Sequence, residues 1–210
     1  YKQRTDMSTI QTSQSYTPKK WNLSALEGIS DKTLEVHFGL YEGYVKNSNL
    51  LAEQIAELTT QGKAAGTNPQ FAELVRRLGF EYNGMVLHEY YFDNMTSSGG
   101  GAPAGALADR LKADFGDFET WKKQFSAIGT LRGVGWVVLY EDSRSGRLTN
   151  HWITLHEEGN IAGFKPVLVM DVWEHAWLLD YKPAQRSAYV EAFFANVDWK
   201  TVAARLSSGH

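Results

Sequence analysis

From Leu34 to Leu58 one stripe of side chains returns every three or four residues: Leu34, His37, Tyr41, Tyr44, Ser48, Leu51, Ile55 and Leu58. That period predicts an amphipathic helix, and Ser30 with Asp31 offers its N-cap. Turn-forming residues over 61–69 (Gly62, Gly66, Asn68 and Pro69) end it and start another. In the second helix Leu74, Leu78, Met85, His88 and Phe92 form the stripe, so each of two adjacent antiparallel helices carries a histidine on its apolar face. The stretch 97–105, reading SSGGGAPAG, is the clearest linker. Beyond it, 107–128 reads as one helix with Phe115, Phe118, Trp121 and Phe125 inward. The pattern then switches to strands: 135–140, a turn at 142–146, 148–156 with Trp152, Thr154 and His156 on one face, and the apolar run 167–170 opened by Pro166. Tyr189, Val190, Phe193, Phe194 and Val197 mark a final helix.

This order predicts an α+β protein: an N-terminal helical hairpin domain (18–98) and a C-terminal α/β domain (106–210) with a small, three-stranded antiparallel sheet. Residues 1–17, rich in Ser, Thr and Gln, read as an extended or mobile arm. With 210 residues, 43% of them hydrophobic, there is ample material for a packed core. A net charge of -3 and the lack of any basic tract argue against a nucleic-acid partner. No apolar run approaches membrane-spanning length, so a soluble protein without a membrane partner is expected. The absence of cysteine excludes disulfides, thiolate ligands and thiol nucleophiles together. The sequence starts at Tyr1 rather than methionine, and the compartment, cytoplasmic or exported, is left open.

Candidate chemistry gathers at Asp171-Val172-Trp173-Glu174-His175. An aspartate directly after a buried apolar strand is costly unless a partner compensates its charge, and a metal ion would do so with His175 as a second ligand. A D-x-x-x-H spacing alone also fits an acidic helix cap, and one histidine on an apolar face is usually a satisfied core residue. His37 and His88 change the balance. Three imidazoles and one carboxylate, with no sulfur, are a donor set suited to iron or manganese.

Several separated motifs in this order resemble those of the iron/manganese superoxide dismutase family. DVWEHAWLLDYKPAQRSAYVEAFFANVDWKTVAARL resembles its C-terminal signature, LEVHFGLYEGYVKN and NGMVLHEYYF its two helical ligand segments, and RGVGWVVLYED its aromatic-bearing strand. The resemblance covers roughly residues 20–206. It implies one iron or manganese ion per subunit, held by His37, His88, Asp171 and His175, and conversion of superoxide to dioxygen and hydrogen peroxide. It also implies that Tyr44 gates access, that Trp136 and Trp173 line the pocket, and that Glu174 reaches across an interface to the partner's metal-ligating histidine. The active form would then be a homodimer or homotetramer. In the family a glutamine usually holds the solvent beside the metal. Here the second-helix position is Gly84, which cannot, and the sheet position is His156, which inclines the reading toward iron.

Some residues depart from the family pattern. Tyr44 stands seven residues after His37, where eight is usual. Tyr41 and Leu178 stand where the family has a histidine and a tyrosine that connect active sites across the interface, so that relay is expected to be absent or rebuilt. The arginine pair after the family's YK is replaced by Pro183-Ala184-Gln185-Arg186, leaving Arg186 as a candidate for attracting superoxide. The alternative is a superoxide-dismutase-like scaffold or binding protein with a structural metal site. Its mark would be lost ligands, and none of the four is lost. Metal-dependent hydrolysis lacks a spare carboxylate placed as a general base.

Overall fold

The structure, a computed structural model, describes residues 15–207. Two long helices come first, α1 (Asp31–Thr60) and α2 (Pro69–Asp93). The Ser30 side chain caps α1 by accepting from the Thr33 amide, and Asn68 caps α2 ahead of Pro69. The helices form an antiparallel hairpin whose facing residues include Leu34, His37, Tyr41 and Val45 from α1 and Met85, His88 and Phe92 from α2, all buried. The predicted stripes are therefore the packed faces.

Residues 1–14 of the expected arm lie outside the described residues. Its last part is extended and fastened to the hairpin: Tyr16 exchanges two hydrogen bonds with the Asn49 side chain, and Trp21 packs on Phe38, Tyr41 and Phe92. The 97–105 stretch is also packed. A Cβ at Gly99 would lie 2.5 Å from the Asn196 backbone, and the Gly100 amide donates to Val197 O.

The single helix expected over 107–128 is two: α3 (Gly105–Phe115) and α4 (Phe118–Gly129). Gly116 takes a positive φ of 92° and ends α3, and Asp117 starts α4 by accepting from the Thr120 amide at 2.6 Å. Three antiparallel strands follow, β1 (Gly135–Asp142), β2 (Leu148–Thr154) and β3 (Phe164–Asp171), in the order β2-β1-β3. β1 is central and buried along nearly its whole length, which suits its continuous apolar run. β3 is longer than the predicted 167–170 because Pro166 sits at a register shift on an edge strand, where a missing N–H is tolerated. α5 (Arg186–Ala195) and α6 (Trp199–Ala203) close the chain where one final helix was expected. Trp121, Phe125, Phe193 and Phe194 join Tyr91 and Phe92 in one continuous core, so helices and sheet share it.

Two contacts decide where a site can form. The end of α2 lies against β3, and the start of α1 lies against the short 3-10 turn Glu174–Ala176 that follows β3. The segments carrying His37, His88, Asp171 and His175 therefore meet at the end of the sheet.

Candidate metal centre

The β1–β3 register pairs Trp136 with Asp171, the last residue of its strand. On the other side of β1, Gly135 permits the close approach of β2, because a Cβ there would meet Ile153 O at 1.9 Å. Asp171 is fully buried and its oxygens have separate partners. Oδ1 accepts from the Trp173 amide at 2.7 Å, which holds the carboxylate in one orientation. Oδ2 faces His37 Nε2 at 2.9 Å, His175 Nε2 at 3.1 Å and His88 Nε2 at 3.6 Å. Four donor atoms, one from each residue, lie within 4.8 Å of one another. The four residues that the sequence singled out are together.

The local geometry shows what this set can hold. His88 Nδ1 lies 2.6 Å from Gly84 O, and a carbonyl only accepts, so Nδ1 carries the proton. His88 Nε2 is then a lone pair aimed toward a carboxylate oxygen, buried and without a hydrogen-bond partner. Two acceptors facing each other in a dry site repel unless a cation lies between them. Burial pushes the His37 imidazole below its usual range and the His88 imidazole well below it, so both stay neutral. Burial alone would raise the Asp171 carboxyl, but His175 and His37 outweigh it and hold it far below the usual carboxylate range. His37, His88 and Asp171 are thus in the protonation states a metal ion requires, and the residues fit one.

His156 differs from its expected setting. β2 ends at Thr154, and Leu155 takes a positive φ of 54°, so His156 leaves the face shared by Trp152 and Thr154. Trp152 instead donates to Thr154 Oγ1. His156 is fully buried and lies between Trp136 and Tyr44. The Trp136 indole, a donor only, gives its proton to His156 Nδ1 at 3.0 Å, so the neutral ring carries its own proton on Nε2. That Nε2–H donates to the Tyr44 hydroxyl at 2.8 Å. Tyr44 keeps its own proton free to donate, and burial, with Asp171 and Glu81 nearby, pushes its pKa to about 12.

Aromatic walls enclose the group. Trp136 stands edge-on to His88 at 4.9 Å, and Trp173 stacks on His156 at 4.8 Å and on His175 at 5.7 Å. Glu174 is exposed, and its carbonyl accepts from the amides of Trp177 and Leu178. Tyr41 points into the hairpin, donating to Glu89 at 2.9 Å and accepting from the Lys19 amide, while Leu178 is exposed. Arg186 donates to Gly133 O and lies between Trp152 and Trp177, half-buried.

From the sequence, Phe80 and Tyr189 had no part in the site, and Gly84 was named only as unable to hold solvent. Phe80 packs on His156 at 4.6 Å, Tyr189 donates to the Asp171 carbonyl at 2.6 Å, and Gly84 orients His88. The spacing 80, 84, 88 places Phe80 and Gly84 on the His88 face of α2 and could have found both. Tyr189 carried no such signal.

Comparison with known proteins agrees with this geometry. The family model for the C-terminal domain of iron/manganese superoxide dismutases matches residues 103–205. Superoxide dismutase (Mn) 2 of Haloferax volcanii is 39% identical over 190 residues, covering 90% of this chain and 92% of the relative. Superoxide dismutase (Fe) of Cupriavidus metallidurans is 38% identical over 188 residues, covering 87% and 91%. Superoxide dismutase (Fe) of Aquifex pyrophilus is 36% identical over 180 residues, covering 84% of each. With three buried donors and the partly buried His175 converging at the end of the sheet and relatives matched along most of their length, the chain belongs to the iron/manganese superoxide dismutase family.

Proposed function

We propose that this protein disproportionates superoxide at one iron or manganese ion held by His37, His88, Asp171 and His175. Two superoxide anions and two protons give one dioxygen and one hydrogen peroxide. Iron or manganese held by these four residues would supply the one-electron redox chemistry that this disproportionation needs. The observation that carries the reading is the convergence of three imidazoles on the single oxygen Asp171 Oδ2, with the His88 lone pair otherwise unpartnered.

The chain's own residues supply the rest. Neutral imidazoles and a single carboxylate leave the site cationic when a metal is present, which attracts an anion despite the overall charge of -3. Tyr44 stays protonated at neutral pH, so the mouth presents a neutral hydroxyl donor rather than a repelling phenolate. His156 fixes that hydroxyl through Nε2–H and is itself fixed by the Trp136 indole. Trp136 and Trp173 limit water around the donors. The active form is read as a homodimer or homotetramer in which the exposed Glu174 reaches the partner's metal-ligating histidine. The metal is iron or manganese, and the inclination to iron rests on His156 alone.

Replacing His88 by alanine tests the ligand assignment. The His88→Ala protein is expected to lose most of its bound metal, measured by elemental analysis, and its superoxide-consuming activity. Full occupancy with full activity would remove His88 from the site.

A further inference from the structure

Gly84 occupies the interior of α2, where glycine is less favourable than alanine. Its surroundings supply a reason. Its carbonyl accepts from His88 Nδ1 at 2.6 Å and so turns Nε2 toward Asp171. Its missing side chain makes room for Tyr44: a Cβ there would lie 2.6 Å from Tyr44 Cδ1, 2.8 Å from Cε1 and 3.0 Å from Cγ. Carbon atoms in contact rest about 3.5–4.0 Å apart, so any larger residue would push the ring by about 1 Å.

The ring has little room to give way. It stacks on His88 at 5.2 Å, meets His156 edge-on at 4.9 Å and lies beside Phe80 at 6.3 Å. Its hydroxyl is within 2.8 Å of His156 Nε2. Gly39 in α1 gives the contrast, because a Cβ there would meet nothing within 4 Å.

We propose that Gly84 is a positioning residue for the reaction. Its bare backbone seats the Tyr44 ring against α2 so that the hydroxyl meets His156, while its carbonyl sets the ring of His88. One residue thereby registers a metal donor and the mouth of the site to each other. The inference rests on the reading of Tyr44 and His156 as that mouth.

The test uses the manganese-loaded protein and its Gly84→Ala, Tyr44→Leu and double variants, with Gly39→Ala as a control for helix propensity. Gly39→Ala is expected to raise the thermal midpoint, as alanine does at an open helical position. Gly84→Ala is expected to lower it, to keep its manganese, and to lose on the order of tenfold in kcat/KM from a displacement of this size. Its crystal structure should show Tyr44 Oη beyond about 3.5 Å from His156 Nε2. In the Tyr44→Leu background the same substitution should no longer lower the midpoint, because the obstructing ring is gone. A Gly84→Ala protein that keeps the Tyr44–His156 bond and kcat/KM within twofold of the parent would overturn the proposal. So would equal losses of stability in the two backgrounds. If Gly84→Ala alone fails to fold, the double variant decides: folding supports the clash with Tyr44, and failure rejects it. The ring position and the stability cycle need no turnover, so they are read even if the protein proves inactive toward superoxide.

Discussion

Asp171 gives one carboxylate oxygen to the Trp173 amide and turns the other toward three imidazoles. His156 is bound as tightly by its neighbours, and its burial has a consequence for stability. Burial, with the charges of His175 and Arg77, lowers its pKa to about 4, outweighing the opposite pull of Asp171. In the unfolded chain the same ring takes up a proton near 6.5. Between those values the unfolded state binds more protons, so stability is full above pH 6.5 and is lost as pH falls toward 4. At about 1.4 kcal/mol per unit, His156 alone accounts for about 3 kcal/mol, and His88 acts in the same direction. Asp171 acts only below the usual aspartate range and leaves this window untouched. Urea unfolding of the metal-free protein at pH 7, 5.5 and 4.5 is expected to show this loss, with a shallower pH dependence in His156→Gln. Equal slopes in the two proteins would contradict it. His37 and His88 were legible in the sequence as histidines on the apolar faces of two helices, Asp171 as a charge directly after a buried strand, and His175 through its four-residue spacing from Asp171. His156 was legible as a candidate, but its placement was not, since Leu155 adopts a left-handed backbone that no local rule assigns to leucine.

At the level of elements, the hairpin and the three strands follow from their periods, and the break between α3 and α4 does not. Phe115, Phe118, Trp121 and Phe125 keep three- and four-residue spacing across the break, which hides it. The punctuation was present in Gly116 and Asp117, one ending a helix and the other capping the next. Asp117→Ala removes the bond to the Thr120 amide and leaves an unsatisfied helix start. It is expected to cost about 1 kcal/mol in thermal unfolding with no change in metal content. A loss of metal with that substitution would mean that α4 braces the site in a way the structure does not explain. The split of the final helix into α5 and α6 was equally hidden, because Val197 and Trp199 continue an apolar run past the turn at Asn196.

Across the whole molecule, α1, α2, β3 and the turn at 174–176 meet only in the folded chain, so sequence motifs could name the donors without showing their distances. No described helix is long and apolar enough to cross a membrane. The exposed Glu174 stands near Leu178 and Leu179, two exposed leucines on the same turn. If this face meets a second copy, sedimentation should give at least twice the mass of one chain, and Glu174→Ala should shift the protein toward the single chain at low concentration. A monomer under all conditions would remove Glu174 from the account and leave each site to one chain. The most direct measurement is superoxide consumed per bound metal ion after separate loading with iron and with manganese. Sustained turnover with one metal or both is expected, lost when His88 is replaced. Stoichiometric binding of either ion with no turnover under both would make the centre structural and contradict the proposed activity.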